Sequence, residues 1–532
     1  MDKLISASKA ANLIKDEDVV CFTAAGMIGF AEYIADEIEK RFIKHSSPKN
    51  LTIVHSCGCG DSKDKGTNHF AYEGLTKKLI TSHIALAPKF NKLIEDKKID
   101  TYLFPQGVIA NMFRHIAGNS PGVITKIGLN TFVDPRLEGG KENQDIKENL
   151  VELIEIDNEK WLFYKKFPVD VAIIKATYAD TKGNIFYNKE PLILEARSMA
   201  QAAKNSGGIT IFQVEEIVEY GTFNPKSVEV PSQYVDYIVV APKEKSMQTM
   251  GTVYNPLFSG EKRVPLSEIK IPNIPLDIKK IIAKRATLEI KKDDVVKLGI
   301  GVPELISLIA FEEKITDEMT MISDLGIYGG FSSSGKDFPA SYNFESMINH
   351  ESQFDFIDGG GIDVAFLGLG EIDKNGNCNV SKLGKRVVGP GGFINITQNS
   401  KKLVFCGSFT AKGLEVFVEN NAIKINSEGQ IKKFIDEVSQ ITFNAKDSLY
   451  KNQEVLFITE RAVFKLRDKG GLELIEIAPG INLEKDILDQ MGFKPYIKNA
   501  DDIKLMPKFI FDTKSGYIRD YFLKTTNKEN NE

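Results

Sequence analysis

Two kinds of segment alternate along the chain. Short unbroken apolar runs, such as VVCF at 19–22, VAII at 171–174 and the run from Ile209 to Phe212, have the length and composition of strands covered on both faces. Between them lie stretches with apolar residues every three or four positions, at 191–204, 277–289 and 304–314 (ELISLIAFEEK), which predict helices. Strand-like and helix-like segments taking turns predict parallel α/β units.

The pattern also repeats. Residues 170–184 read DVAIIKATYADTKGN and residues 363–377 read DVAFLGLGEIDKNGN. Both fit D-V-A-x7-D-x2-G-N, so Asp170, Val171, Ala172, Asp180, Gly183 and Asn184 recur 193 positions later as Asp363, Val364, Ala365, Asp373, Gly376 and Asn377. Asn205-Ser206 and the apolar run after it recur at an interval of 194 as Asn399-Ser400 and Leu403 to Phe405. Upstream, EDVVCFTAAG (17–26) resembles DDVVKLGIG (293–301) at an interval of 276, which implies an insertion of about 80 residues in the first half. The fold class expected is α/β, with two related open α/β domains fused in one chain. The D-x-x-G-N element is turn chemistry, so a structural role is expected for Glu371 and Asp373.

Length agrees with duplication: 532 residues and 59.2 kDa exceed what one hydrophobic core serves. The stretch SGEKRVPLSEIKIPNIPL (259–276), with Pro265, Pro272 and Pro275 among charges, is the expected link between domains 1–275 and 276–532. The terminal TTNKENNE is expected to be a frayed tail. A net charge of −5 and a pI near 5.9 leave no electrostatic footprint for nucleic acid or an anionic membrane. The absence of a long uncharged stretch, and a charged beginning, point to no membrane partner and a cytoplasmic location. Five scattered cysteines suit free thiols.

Four glycine clusters stand near predicted strand ends in the second half: LGIGVPELI (Gly299, Gly301), DLGIYGG (Gly326, Gly329, Gly330), DGGGID (Gly359, Gly360, Gly361) and GPGGFINI (Gly389, Gly391, Gly392). Each alone reads first as a turn. Together they suggest a ligand cleft lined by backbone N–H groups. Neither half opens with the G-x-G-x-x-G dinucleotide pattern. Cys57-x-Cys59 has the wrong spacing for zinc, and the six histidines form no H-E-x-x-H, so no metal is expected. Lys63, Lys65, Lys77 and Lys78, interleaved with acidic residues, read as solvated surface.

Longer motifs carry a resemblance. HFAYEGL (69–75), PQG (105–107), KIGLNTFVDPR (126–136), LGIGVPE (298–304), QFDFIDGGGIDVAFLGLGEID (353–373), GPGGFINITQN (389–399), FCGSFTAKGLEV (405–416), FITERAVF (457–464) and IEIAPGINLEKDILDQM (475–491) occur in one order. In number and order they resemble the class I CoA-transferases, and among them the single-chain acetate/propionate CoA-transferase branch, over nearly all of the chain. The resemblance implies two CoA-transferase-type domains, the first alpha-subunit-like and the second beta-subunit-like and carrying the nucleophile loop. It implies a homo-oligomer, dimer or tetramer, with no cofactor beyond coenzyme A thioesters as substrates. Acyl-CoA and a short-chain carboxylate are the implied partners.

In such enzymes a carboxylate attacks the acyl-CoA and CoA is held as a protein thioester, with backbone N–H groups at the developing oxyanion. The family nucleophile is a glutamate in E-x-G-x-x-G-G. The matching stretch is Asp324-Leu325-Gly326-Ile327-Tyr328-Gly329-Gly330, which puts Asp324 at that position. The following loop also departs from the family pattern, at Ser334 and Pro339. The resemblance then implies Gly391 or Gly392 as oxyanion donors, Gln106 reaching the site from the first domain, and Gly299, Gly301 and Gly359, Gly360, Gly361 lying along CoA. The missing methylene leaves three readings: a working CoA-transferase, an acyl-CoA hydrolase that admits water, and an acyl-CoA-binding homologue without turnover.

Overall fold

A computed structural model describes residues 2–269, 274–499 and 503–529. Pro272 of the expected link and the last three residues of the expected tail lie outside the described residues. The expected strands form. In the first half, β1 (Val19–Phe22), β2 (Leu51–His55), β3 (Thr76–Thr81), β4 (Asp100–Leu103), β5 (Val171–Lys175), β6 (Ile209–Val214) and β7 (Tyr237–Val240) make a sheet in the order β7-β6-β5-β1-β2-β3-β4, parallel throughout. β1 and β5 are buried at every position, which is why they read as unbroken apolar runs.

The second half repeats this plan around β8 (Val295–Leu298), β9 (Thr320–Ile322), β12 (Val364–Gly368), β13 (Lys402–Cys406) and β14 (Glu454–Ile458), ordered β14-β13-β12-β8-β9. Its counterpart in the first half is β7-β6-β5-β1-β2. Register follows too: Val20 pairs with Val171 and Ile53, and Val296 pairs with Val364 and Met321. The repeated turns are built alike. Asp170 accepts from the Val19 amide and Asp363 from the Val295 amide, both at 2.8 Å. Asp180 accepts from the amides of Lys182 and Asn184, and Asp373 from those of Asn375 and Asn377. Asp373 thus has the structural role expected of it.

The halves differ at their edges. Beyond β2 the first sheet continues with parallel β3 and β4, and an antiparallel meander at 122–165 follows; these account for the insertion. Beyond β9 the second sheet turns antiparallel, through β10 (Ile327–Tyr328) and β11 (Ser346–Met347). At its other edge β15 (Ala462–Leu466) and β16 (Leu472–Ile477) are antiparallel as well, so antiparallel edges flank the expected parallel units in this sheet. The reason is local. The connections at 323–326, 459–461 and 467–471 are too short for anything but a reversal, because a parallel return needs a crossover of about a dozen residues or more.

The helices expected at 191–204, 277–289 and 304–314 form as Ala196–Asn205, Ile278–Thr287 and Glu304–Glu312. The expected frayed tail is instead helical as far as Glu529. That helix starts at Tyr517, and buried Ile518 and Phe522 hold it to the second core. No helix among the described residues is long and apolar enough to cross a membrane.

Candidate active site

β9 ends at Ile322, and the chain turns through Ser323 and Asp324 into the loop before β10. The Leu325 amide donates to Ser323 Oγ at 3.1 Å, and Gly326 adopts a φ of +102° with its Cα against the Ile348 carbonyl, where a Cβ would sit 2.0 Å from that oxygen. Glycine is therefore required at this corner. The turn leaves the Asp324 side chain 18% exposed. One oxygen, Oδ1, lies 3.1 Å from Nζ of Lys297, a buried residue on β8. The other, Oδ2, accepts a 3.3 Å hydrogen bond from Gln106 Nε2.

Gln106 is the first residue of a helix at Gln106–Ala117, held down by contacts across the two halves. Its own amide donates to the Gly391 carbonyl at 2.9 Å, and the Gly107 amide donates to Asn395 Oδ1 at 3.2 Å. Asn395 Nδ2 in turn donates to both oxygens of Asp358. Burial pushes the Asp358 carboxyl up to about 7, against the lowering effect of those hydrogen bonds. A Cβ on Gly107 would meet Phe354 at 2.4 Å and Asn395 at 2.5 Å, so glycine lets this helix start seat against the second half.

The orientation of the Gln106 amide is set by a buried chain of polar groups. Ser56 Oγ donates to Glu195 Oε1 at 2.6 Å, and His350 Nδ1 donates to Glu195 Oε2 at 2.8 Å. With its proton on Nδ1, His350 presents Nε2 as an acceptor, and Gln106 Nε2 donates to it at 3.0 Å. The amide nitrogen therefore faces both the imidazole and Asp324, and the amide oxygen faces away. Ser56, Glu195 and His350 are fully buried. None of the three stands out in the sequence: each is a polar residue near a strand or helix end with no motif around it, and they are 139 to 294 positions apart. Lys297 carries no sequence signal beyond its place in the strand run DDVVKLGIG.

Of the expected backbone donors, Gly391 spends its N–H on the Ser82 carbonyl at 2.9 Å, so it is not an open donor as expected. Gly392 packs directly on the carboxylate: a Cβ there would lie 2.8 Å from Asp324 Oδ2. The N–H of Gly392 has no acceptor among the described residues. Gly299 donates to the Phe366 carbonyl, and Gly301 donates to Glu304 Oε1 at 2.6 Å. The amides of Gly359, Gly360 and Gly361 go to the carbonyls of Asp355, Ile357 and Phe356, closing the helix His350–Asp358. Gly301 and Gly359 to Gly361 build a turn and a helix end, and Gly299 extends the strand ladder to Phe366, so the N–H groups of these five glycines are used within the protein.

Cys57 lies close enough to Asp324 for that charge, after burial, to hold its thiol well above the ordinary range. It remains a neutral thiol beside the carboxylate. Burial pushes His55 and His83 down to about 4, so both are neutral imidazoles at pH 7. Asp36, Glu39 and His69 bring possible ligand atoms within 4.8 Å of one another, a cluster that the sequence spacing did not show. Both His69 nitrogens are engaged there by Glu39 and Glu32. Lys63 and Lys65, expected as plain surface, rim a cavity of about 350 Å³ with Met27, Phe30, Lys245 and, from the second half, Lys336.

The coenzyme A transferase family model matches residues 4–241. Over 520 residues the chain is 47% identical to caffeate CoA-transferase of Acetobacterium woodii, covering 97% of this chain and 98% of the relative. It is 40% identical to acetate CoA-transferase YdiF of Escherichia coli strain K12 over 517 residues, covering 97% and 96%. The crystal structure of acyl-CoA transferase YdiF apoenzyme from E. coli O157:H7 is similar with a TM-score of 0.91 and 39% identity, covering 97% of each chain. A structure of the same E. coli protein as a thioester complex with CoA gives 0.89 and 38%, again over 97% of each chain.

Proposed function

Because this chain belongs to the CoA-transferase family and is a CoA-transferase of two fused α/β halves, we propose that it exchanges CoA between a short-chain acyl-CoA and a carboxylate such as acetate, with Asp324 as the nucleophile. The observation that carries this is the setting of Asp324. One oxygen is held by an ammonium group, the other by an amide N–H whose direction is fixed by buried partners, and Gly392 lies against it.

An Asp324 oxygen attacks the acyl carbon of the thioester, and the oxyanion that forms is met by N–H donors, for which Gly392 and Gln106 are the candidates. The C–S bond breaks. The CoA thiolate then attacks the Asp324 carboxyl carbon of the mixed anhydride and releases the first carboxylate, leaving an aspartyl-CoA thioester. A second carboxylate runs both steps in reverse. Both nucleophiles are anions already, so no general base is required. That suits a site whose neighbouring thiol, Cys57, stays neutral. The cavity rimmed by Lys63, Lys65, Lys245 and Lys336 also carries Glu32, Asp61 and Glu244, so its charge is mixed, while Met27, Phe30, Met247 and Met250 give it the apolar lining an acyl-CoA could use.

The test is to mix the protein with propionyl-CoA and labelled acetate and to follow acyl-CoA masses together with free CoA. Labelled acetyl-CoA is expected. Free CoA alone would make the protein a hydrolase, and retained binding with neither product would make it a binder. Because relatives are named for caffeate and for acetate, both carboxylates belong in the panel. Asp324→Glu is expected to be slower than the wild type, since both aspartate oxygens already reach partners and an added methylene would drive the carboxylate into Gly392. A homo-oligomer is expected in light scattering.

A further inference from the structure

Lys297 is 5% exposed at its side chain, and its ammonium nitrogen has two acceptors: Asp324 Oδ1 at 3.1 Å and the Leu298 carbonyl at 2.5 Å. Only the first carries charge. The reaction proposed above consumes that charge. When the Asp324 carboxylate becomes an acyl anhydride and then a CoA thioester, the negative charge passes to the thiolate and from there to the departing carboxylate. After the first product leaves, Asp324 is neutral, and a buried ammonium group is left facing a thioester and a peptide carbonyl. An unpaired buried charge is strongly unfavourable. The second substrate is itself a carboxylate, and it must approach this same carbon.

We propose that Lys297 binds the carboxylate substrate: its ammonium group pairs with Asp324 in the free protein and with the incoming carboxylate once Asp324 is joined to CoA. The inference rests on Asp324 being the nucleophile. No proton moves and no bond to Lys297 forms; the ion pair changes partner at each half-reaction. The exchange gives the site an order. While Asp324 is free it occupies the cation and competes with carboxylates, and after thioester formation it vacates the cation just when a carboxylate is needed. Water has no such charge to offer, so the same group favours transfer over hydrolysis.

The two half-reactions separate the idea from its premise. Wild-type protein treated with acyl-CoA should gain the mass of CoA less water on the peptide that holds Asp324; if it does not, the nucleophile reading fails and this inference goes with it. With the thioester formed, Lys297→Met should still accumulate it, while the acetate concentration for half-maximal discharge rises about tenfold or more. Discharge by hydroxylamine, which carries no negative charge, should change by less than about twofold. An unchanged acetate requirement would overturn the inference. Lys297→Gln, which keeps a donor without charge, serves if the methionine variant does not fold. A measurement on wild-type protein is independent of either variant: methanesulfonate should bind the thioester form about tenfold more tightly than free protein, and equal binding to both would also overturn it.

Discussion

Ile53 in β2 and Met321 in β9 sit at the same register beside their central strands, paired with Val20 and Val296. Three residues further on, the first sheet ends in Ser56 and the second in Asp324. One step along the central strands, Cys21 and Lys297 are equivalent as well, each flanked by an alanine, Ala172 or Ala365, across the ladder. The same two places therefore hold a neutral pair in one half and an ion pair in the other. Backbone plan, register and the bonds of the repeated aspartate turns are shared, so the reactivity proposed for one end has to come from elsewhere. Two side chains make that difference. Ser56 still takes part from its side of the seam, since it anchors Glu195 and through His350 and Gln106 reaches Asp324. One half presents the carboxylate, and the other aims an N–H at it.

The sharpest break of this comparison is to give the second half the residue of the first. Asp324→Ser should lower labelled-acetate exchange by about a thousandfold or more and, because it leaves the buried Lys297 ammonium without its carboxylate, should also lower the melting temperature; residual exchange near the wild-type rate would place the nucleophile elsewhere. Gly392→Ala comes next, because its Cβ falls 2.8 Å from Asp324 Oδ2 and must push the carboxylate aside. A displacement approaching 1 Å can cost about a hundredfold in rate, read as a fall in thioester formation in a single turnover. On the other side of the seam, His350→Phe removes the acceptor that orients Gln106 and should slow kcat about tenfold. That loss should vanish in a Gln106→Met background, because a group acting through Gln106 has nothing left to orient.

Smaller effects test whether the buried charges of the first half serve stability alone. Burial lowers the His69 pKa, but hydrogen bonds and charge from Glu32 and Glu39 outweigh it and raise the value to about 9. A raised folded-state pKa contributes stability that is complete below the unfolded value near 6.5 and is lost as pH rises through about 9. The contribution is of the order of 3 kcal/mol. Melting temperature measured against pH should therefore fall across this window in the wild type and be flatter in His69→Gln, with exchange at pH 7 little altered. Cys21→Ser, at the counterpart of Lys297, should leave exchange within about twofold of the wild type; a large loss would mean that this position matters in both halves.

Much of the scaffold was legible because local causes produce it. Strands buried on both faces must be continuously apolar, and an aspartate bonding its own turn must stand at a set distance from Gly and Asn, so β5 and β12 were visible as a repeat. Antiparallel edges and the helical tail were less legible, since they depend on what each segment packs against. At the site, Asp324 could be located because glycines at fixed offsets define its turn; Gly326 has no alternative in that space. Glycine clusters as a class were less informative about their amides. Gly301 and the Gly359–Gly361 run have the same local appearance as Gly392, yet their N–H groups close turns and a helix end. Sequence shows where backbone can turn and leaves open which amide keeps its hydrogen for a ligand.

By itself, then, the sequence determined the α/β class, the duplication, the family resemblance and the position of one carboxylate, because each is written in spacings of a few residues or in long ordered motifs. Tertiary structure decided what surrounds that carboxylate. Lys297, Gln106, His350, Glu195 and Ser56 come from five separate segments, and their roles arise from distances near 3 Å, those from Gln106 to Asp324 and His350 and from His350 to Glu195 running across the seam between the two halves. Burial then determines which of these groups can offer a charge or a hydrogen bond, and burial is a property of the packed whole rather than of any stretch of chain.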